Sequence, residues 1–303
     1  MNKYLVLILA LLVIAIFAFG SKTNEIMGAG TNHFDNGGIS FDYPNDWNLT
    51  NGTGSLMASY SDPKGFNVKV YKFALPPGYS LAKNLQSDVA GTFDDNFKFV
   101  SGKNITLNGT MAYEKDYTVN GTQQRKEVWI QKNNVLYGII LTAQNEMNFN
   151  LDSLVNSIKI NASNDPPKYR DWARLDLPEF NQEWIFDSNS LNDVNAVQPL
   201  SSFYPGEKGQ SVLLGHHTTH SAPFRYIDQL KAGNKIIVKD YLTQKKYTYE
   251  VTGSEIRMGV KAVDIGYVAT NSPELWLITC WPPGYSRGAY IVHCKLDSIE
   301  PLT

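Results

Sequence analysis

Cys280 ends the run Leu275-Trp276-Leu277-Ile278-Thr279, and Trp281-Pro282-Pro283-Gly284 stops that run just beyond it. Aromatic and β-branched residues favour strands, and a Pro-Pro-Gly sequence favours a turn. The thiol is therefore expected at a strand end, held by a sheet beside a loop. A second short apolar run, Ser211-Val212-Leu213-Leu214, ends in Gly215-His216-His217. A thiol is a weak nucleophile until a base takes its proton or a charge balances the thiolate. A strand-end cysteine and a strand-end histidine in an exported chain thus point to a thiolate–imidazole pair. Arg287 follows on the far side of the turn.

Two other fates are open to the thiol. A free cysteine often packs as a small buried hydrophobe, and Cys280 could also be bonded to Cys294. Strand register argues against the bond. If the run ending at Cys280 pairs with Tyr290–Cys294 so that Cys280 faces residue 289, Cys294 lies five positions along the ladder. At ~3.3 Å per residue this is roughly 16 Å, far beyond the reach of a disulfide. An odd offset also sends the two side chains to opposite faces of the sheet. Cys294 is expected to be a packing residue and Cys280 the free thiol.

Four of the five histidines, His216, His217, His220 and His293, lie in the C-terminal half. His-His-x-x-His could be read as a metal site, but a closed zinc site needs four ligands and no second cysteine is near. His217 and His220 read as solvated loop residues.

The elements that must hold these residues are short strands: Leu175–Leu177, Ser211–Leu214, Lys235–Lys239, Lys246–Val251, Glu274–Thr279 and Tyr290–Cys294. Turn-rich pieces separate them, and only Phe224–Leu230 looks like a helical turn. Such spacing predicts an all-β sandwich or barrel over residues 172–303.

Upstream, residues 37–160 form a different unit. Phe66–Phe73 alternates strictly, as a half-buried strand should, and further strands are expected at Ile39–Tyr43, Met111–Val119, Arg125–Gln131 and Leu136–Leu141. Ser80 is a candidate N-cap for a helix carrying Leu81, Leu85, Val89 and Phe93 on one face. Leu151, Leu154, Val155 and Ile158 mark a closing helix. The expected fold is α+β, an antiparallel sheet with helices on one face. Residues 161–171, with Pro166-Pro167, read as a semi-rigid linker and residues 21–36 as a stalk.

Tyr4–Gly20 is an uninterrupted apolar run behind Lys3. It is either a cleaved signal segment or an N-terminal membrane helix, and its length favours an anchor over residues 1–20. Both readings place the rest of the chain outside the cytoplasm. Six Asn-x-Ser/Thr triplets, from Asn48 to Asn161, point to surface glycosylation. A net charge of −2 with no clustered Lys/Arg face excludes a nucleic-acid partner.

In order and spacing, these pieces resemble the sortases, the cell-surface transpeptidase family. The resemblance rests on Tyr204–Gln210 leading into Leu214-Gly215-His216, on Phe224, Leu230 and Gly233–Val238, and on Leu277-Ile278-Thr279-Cys280. Trp276 stands where that family has the first Thr of its Thr-Leu-x-Thr-Cys signature. The Gly38–Trp47 opening and the Leu154–Ile160 close resemble PsbP-like domains, which suits a non-catalytic spacer or binding module.

The sortase resemblance implies a closed barrel and acyl transfer without a cofactor. Cys280 would attack a carbonyl in a C-terminal sorting signal of a surface protein, and His216 would protonate the leaving amine. Arg287 would hold the oxyanion, and an amine of the cell envelope or of a pilin-like subunit would accept the acyl group. Sortases usually carry an arginine where this chain has Ala289; Arg287 lies two residues earlier and shares that face if the backbone there is extended. The rivals are an inactive surface binding protein with a sortase-like barrel, and a thiol peptidase with water as acceptor.

Overall fold

The computed structural model describes residues 30–61, 63, 65–76, 79, 81, 97–144, 151–161, 172–186, 196–200 and 203–302. The expected membrane segment 1–20, most of the stalk, the body of the helix expected from Ser80 to Phe93 and the linker around Pro166-Pro167 lie outside them. Among the described residues no helix is long and apolar enough to cross a membrane.

The N-terminal region holds β1 (Thr31–Asn36), β2 (Ile39–Pro44), β3 (Thr50–Asn51), β4 (Leu56–Ser61), β5 (Asn67–Ala74), β6 (Phe97–Leu107), β7 (Thr110–Val119), β8 (Gln123–Lys132) and β9 (Val135–Gln144). Helix α1 (Leu151–Ser157) and β10 (Lys159–Ile160) close it. A small sheet has the order β1-β2-β10, and a seven-stranded antiparallel sheet runs β3-β4-β5-β9-β8-β7-β6.

Alternation along these strands sends residues to two different cores. Val68, Val70, Val128, Ile130, Ile139 and Leu141 bury on one face with Ile39, Phe41, Leu154, Val155 and Ile158. Tyr71, Phe73, Trp129, Leu136 and Ile140 bury on the other. Among the described residues the expected antiparallel sheet is present and dominates, with helix reduced there to α1: α1 and the β2 hairpin cover one face, and the C-terminal domain covers part of the other. The sequence reading missed β6, whose Lys98–Thr106 stretch is mostly exposed and therefore lacks an apolar pattern.

The C-terminal region is a closed barrel. Its strands are β11 (Ala173–Leu177), β12 (Gln182–Phe186), β13 (Ala196–Pro199), β14 (Gln210–Leu214), β15 (Lys235–Asp240), β16 (Lys245–Met258), β17 (Glu274–Trp281) and β18 (Gly288–Pro301). They close in the order β11-β12-β13-β14-β17-β18-β16-β15. All six expected strands are present; β12 and β13 were not foreseen. The barrel interior takes Leu175, Leu213, Val238, Tyr247, Tyr249, Leu275, Leu277, Val292 and Cys294, in one buried cluster with Tyr71, Phe73 and Trp129 of the N-terminal sheet.

Polar contacts reinforce that junction. Arg125 on β8 donates from Nη1 to the Leu302 carbonyl at 3.0 Å and from Nη2 to Gln244 Oε1 at 3.2 Å. Its Nε bonds Glu127 at 2.9 Å, so the buried guanidinium is charge-compensated and spans both regions.

Candidate active site

Two facing strands position the reactive groups. β14 and β17 run parallel, with Leu213 opposite Leu277 and Leu214 opposite Ile278. The register ends at that pair, and Gly215 follows directly beside Thr279. Two bonds tie Gly215 to the second strand: its N–H donates to the Ile278 carbonyl at 3.1 Å, and the Thr279 hydroxyl donates to its carbonyl at 2.8 Å. Histidine and cysteine thus leave adjacent strand ends at the same edge of the barrel.

The residue before His216 has to be small. A Cβ on Gly215 would lie 2.6 Å from the Phe224 ring, and that ring is fully buried. The Phe224 N–H also donates to the His216 carbonyl at 3.0 Å. Gly215 therefore lets the chain fold back over Phe224 directly after the histidine. The half-buried His216 ring has the Thr219 hydroxyl 3.0 Å from Nδ1 and the His220 ring at 4.7 Å between centroids.

His217 departs from expectation. It is 5% exposed, with Nδ1 3.1 Å from the Cys280 carbonyl and its ring stacked on Trp281 at 5.9 Å. The expected solvated residue is a packed support of the cysteine's own backbone. His220 does sit at the surface, at positive φ.

Cys280 is part-exposed and free, and Cys294 is free and buried. Cys280 pairs with Ala289 and Cys294 with Leu275, which is the register assumed from sequence. The two thiols face opposite sides of the sheet: Cys294 lies in the barrel interior, while Cys280 packs against a second cluster on the other face. Burial pushes the Cys294 thiol up to about 12, which keeps it protonated and inert.

That second cluster joins Val212, Leu214, Trp276, Ile278, Ala289 and Ile291 to Ala262 and Ile265 of the β16–β17 connection. This connection is thus packed onto the face that carries Cys280.

Arg287 lies outside β18, which begins at Gly288, and it is exposed. Its backbone is tied on both sides, N–H to the Trp281 carbonyl and carbonyl to the Gly259 N–H. The guanidinium rests over Tyr285 at 5.0 Å. Across the turn, Ser286 Oγ stands 3.9 Å from Cys280 Sγ. A second arginine escaped the sequence reading. Arg257 pairs with Ala289, which pairs with Cys280, so all three share a face. Its guanidinium lies over Trp276 at 5.6 Å and bonds Glu255, holding that carboxyl below its usual range with burial opposing. Only register across three strands reveals it, because Arg257 is far from Cys280 in sequence. Among the described residues no cluster of metal-ligating side chains forms.

Comparison with known proteins accords with this layout. Residues 180–297 match the family model of the sortase domain, and residues 21–160 match that of the PsbP-like proteins. Sortase D of Bacillus subtilis (strain 168) is 30% identical over 127 residues, 40% of this chain and 61% of the relative, so less than two thirds of that protein is spanned. Among solved structures, sortase A of Listeria monocytogenes is 24% identical over 44% of this chain and 90% of its own, with a TM-score of 0.37. Sortase E1 of Streptomyces coelicolor, solved with a tripeptide in the active site, is 23% identical over 43% of this chain and 90% of its own, with a TM-score of 0.36.

Proposed function

Proceeding from a sortase domain at residues 180–297 behind a PsbP-like region at residues 21–160, we propose that this protein is a cysteine transpeptidase of the cell surface. The observation that carries this reading is the junction of β14 and β17, where His216 and Cys280 leave neighbouring parallel strands at one barrel edge.

The chemistry follows from those two groups. The Cys280 thiolate attacks a backbone carbonyl carbon of a sorting signal near a substrate protein's C-terminus, and the carbonyl oxygen becomes an oxyanion. Arg287 and backbone N–H groups stabilise that charge. The tetrahedral adduct collapses by breaking the C–N bond, and the His216 imidazolium protonates the departing amine. A thioester remains on Cys280. An incoming amine of the cell envelope or of a pilin-like subunit then attacks it, passes its proton to His216, and leaves as the new amide while the thiolate is regenerated. Balance requires no redox partner.

Arg287 fits its role by leaving the Tyr285 ring and turning toward the Cys280 edge, a swing that exposure allows. His217 and Thr279 are positioning residues, acting through the Cys280 and Gly215 backbones. Residues 1–20 serve as a membrane anchor that keeps both regions on the outer surface, on the strength of the unbroken Tyr4–Gly20 run.

The test is direct. The purified ectodomain is incubated with peptides bearing candidate sorting signals and followed by mass spectrometry. The expected result is a thioester on Cys280, released by added hydroxylamine or a glycine amine as the transpeptidation product. Release by water at the same rate with and without amine would make the protein a peptidase, and no adduct with any peptide would favour a binding role.

A further inference from the structure

Between the N-terminal sheet and the barrel lies a cavity of about 310 Å³. This is at the lower end of the range for small-molecule sites. Its lining comes from both regions: Asn67, Lys69, Arg125 and Ile140 from the sheet, and Gln244 and Leu302 from the barrel end. Its charge is unbalanced. Arg125, 4% exposed, is compensated by Glu127 through Nε. The other Glu127 oxygen is already taken by Trp129 Nε1 at 2.9 Å. Lys69 lies on the same face of the sheet and pairs with no described carboxylate. Burial and then the neighbouring Arg125 lower its pKa, the sign expected of an ammonium whose counter-charge is missing.

We propose that this inter-domain cavity binds a small organic monocarboxylate, seated between Lys69 and Arg125 with its apolar end against Ile140 and Leu302. A single negative charge is favoured because the cavity is lined by two cations, of which Arg125 is held by Glu127 and Lys69 has no described carboxylate partner. Arg125 has five N–H donors and spends three of them on Glu127, Leu302 and Gln244, so two remain. Amides at Asn67 and Gln244 supply further polar groups. A ligand held there touches strands of both regions and adds to the contacts that join them.

The experiment titrates the whole ectodomain with butyrate, with neutral butyramide and with inorganic phosphate at matched ionic strength, by calorimetry and thermal melting. Butyrate is expected to bind and to raise the melting temperature in a saturable way, and butyramide to do neither. Lys69→Met, a part-exposed site whose loss strands no described acid, should weaken butyrate at least tenfold while its far-ultraviolet spectrum stays native. Absence of butyrate binding to the wild type, equal binding by Lys69→Met, or equal binding of butyramide would each overturn the proposal. Phosphate binding more tightly than butyrate would overturn the monocarboxylate class.

Discussion

Thr279 donates its hydroxyl to the Gly215 carbonyl over 2.8 Å, joining the residue before Cys280 to the residue before His216. Thr279 is wholly buried, so that bond has no water to replace it. Removing it leaves a buried carbonyl short of a donor, which costs about 1–3 kcal/mol. Thr279→Val is therefore expected to lower stability by that order and to slow thioester formation about tenfold or more by loosening the two strand ends. Thr279→Ser keeps the hydroxyl and should recover most of the rate. Denaturant melts and single-turnover acylation measure both, and an unchanged rate in the Val variant would separate this bond from catalysis.

Gly215→Ala places a Cβ 2.6 Å from the Phe224 ring. Because Phe224 is packed on all sides, relief requires the ring or the backbone to move, at about 1–3 kcal/mol. The acylation rate should fall with it, since His216 is the next residue. Pairing Gly215→Ala with Phe224→Leu makes room, and the double variant should regain part of both losses. A fully additive double variant would show that the clash is not with that ring.

The two thiols should react very differently. Cys280 is part-exposed, whereas Cys294 is 2% exposed and burial pushes its thiol up to about 12. Iodoacetamide on the native protein should label Cys280 alone, with Cys294 becoming reactive only in denaturant. Cys294→Ala should retain acylation and Cys280→Ala abolish it, as peptide mass mapping and adduct formation will read out.

Arg287 offers a sharper risk. Removing an oxyanion donor lowers turnover about 10²–10³-fold, and Arg287→Ala is expected to lose acyl-enzyme formation on that scale with the melting temperature unchanged. Arg287→Lys should restore it only in part, because an ammonium lacks the planar fork of donors. Full activity in Arg287→Ala would assign the oxyanion to backbone amides.

Asp240 makes stability depend on pH. It is completely buried, accepts the Leu242 and Thr243 N–H groups through one oxygen, and burial raises its pKa from 3.8 to about 6. The folded state therefore holds a proton on Asp240 that the unfolded state has already released. With more protons bound when folded, this group's contribution to stability declines as pH rises from about 4 to about 6, then levels off. Urea midpoints at steps of pH across that window should show a slope absent from Asp240→Asn.

The local half of this protein was open to reading from sequence because its signals are local. Period-two alternation marked Phe66–Phe73 and Leu136–Leu141, and turn residues bounded the barrel strands. A hairpin with Cys280 opposite residue 289 could be assumed across the turn, and on that register Cys280 and Cys294 are separated, as the structure has them. Ala289 where an arginine was expected was equally visible. What tertiary structure alone decided is every relation between distant segments. Alternation shows that a strand has two faces without saying what covers the second. Hence the sheet face bearing Tyr71, Phe73 and Trp129 carried no sign that a barrel would bury it. The parallel pairing of β14 with β17 spans 64 residues, and the Arg125–Leu302 bond spans 177. No periodicity encodes such contacts, because they arise when separate apolar surfaces are removed from water together. His217 shows the same limit on a smaller scale: adjacent to His216 in the chain, it becomes a buried prop for Cys280 only because β17 lies beside it.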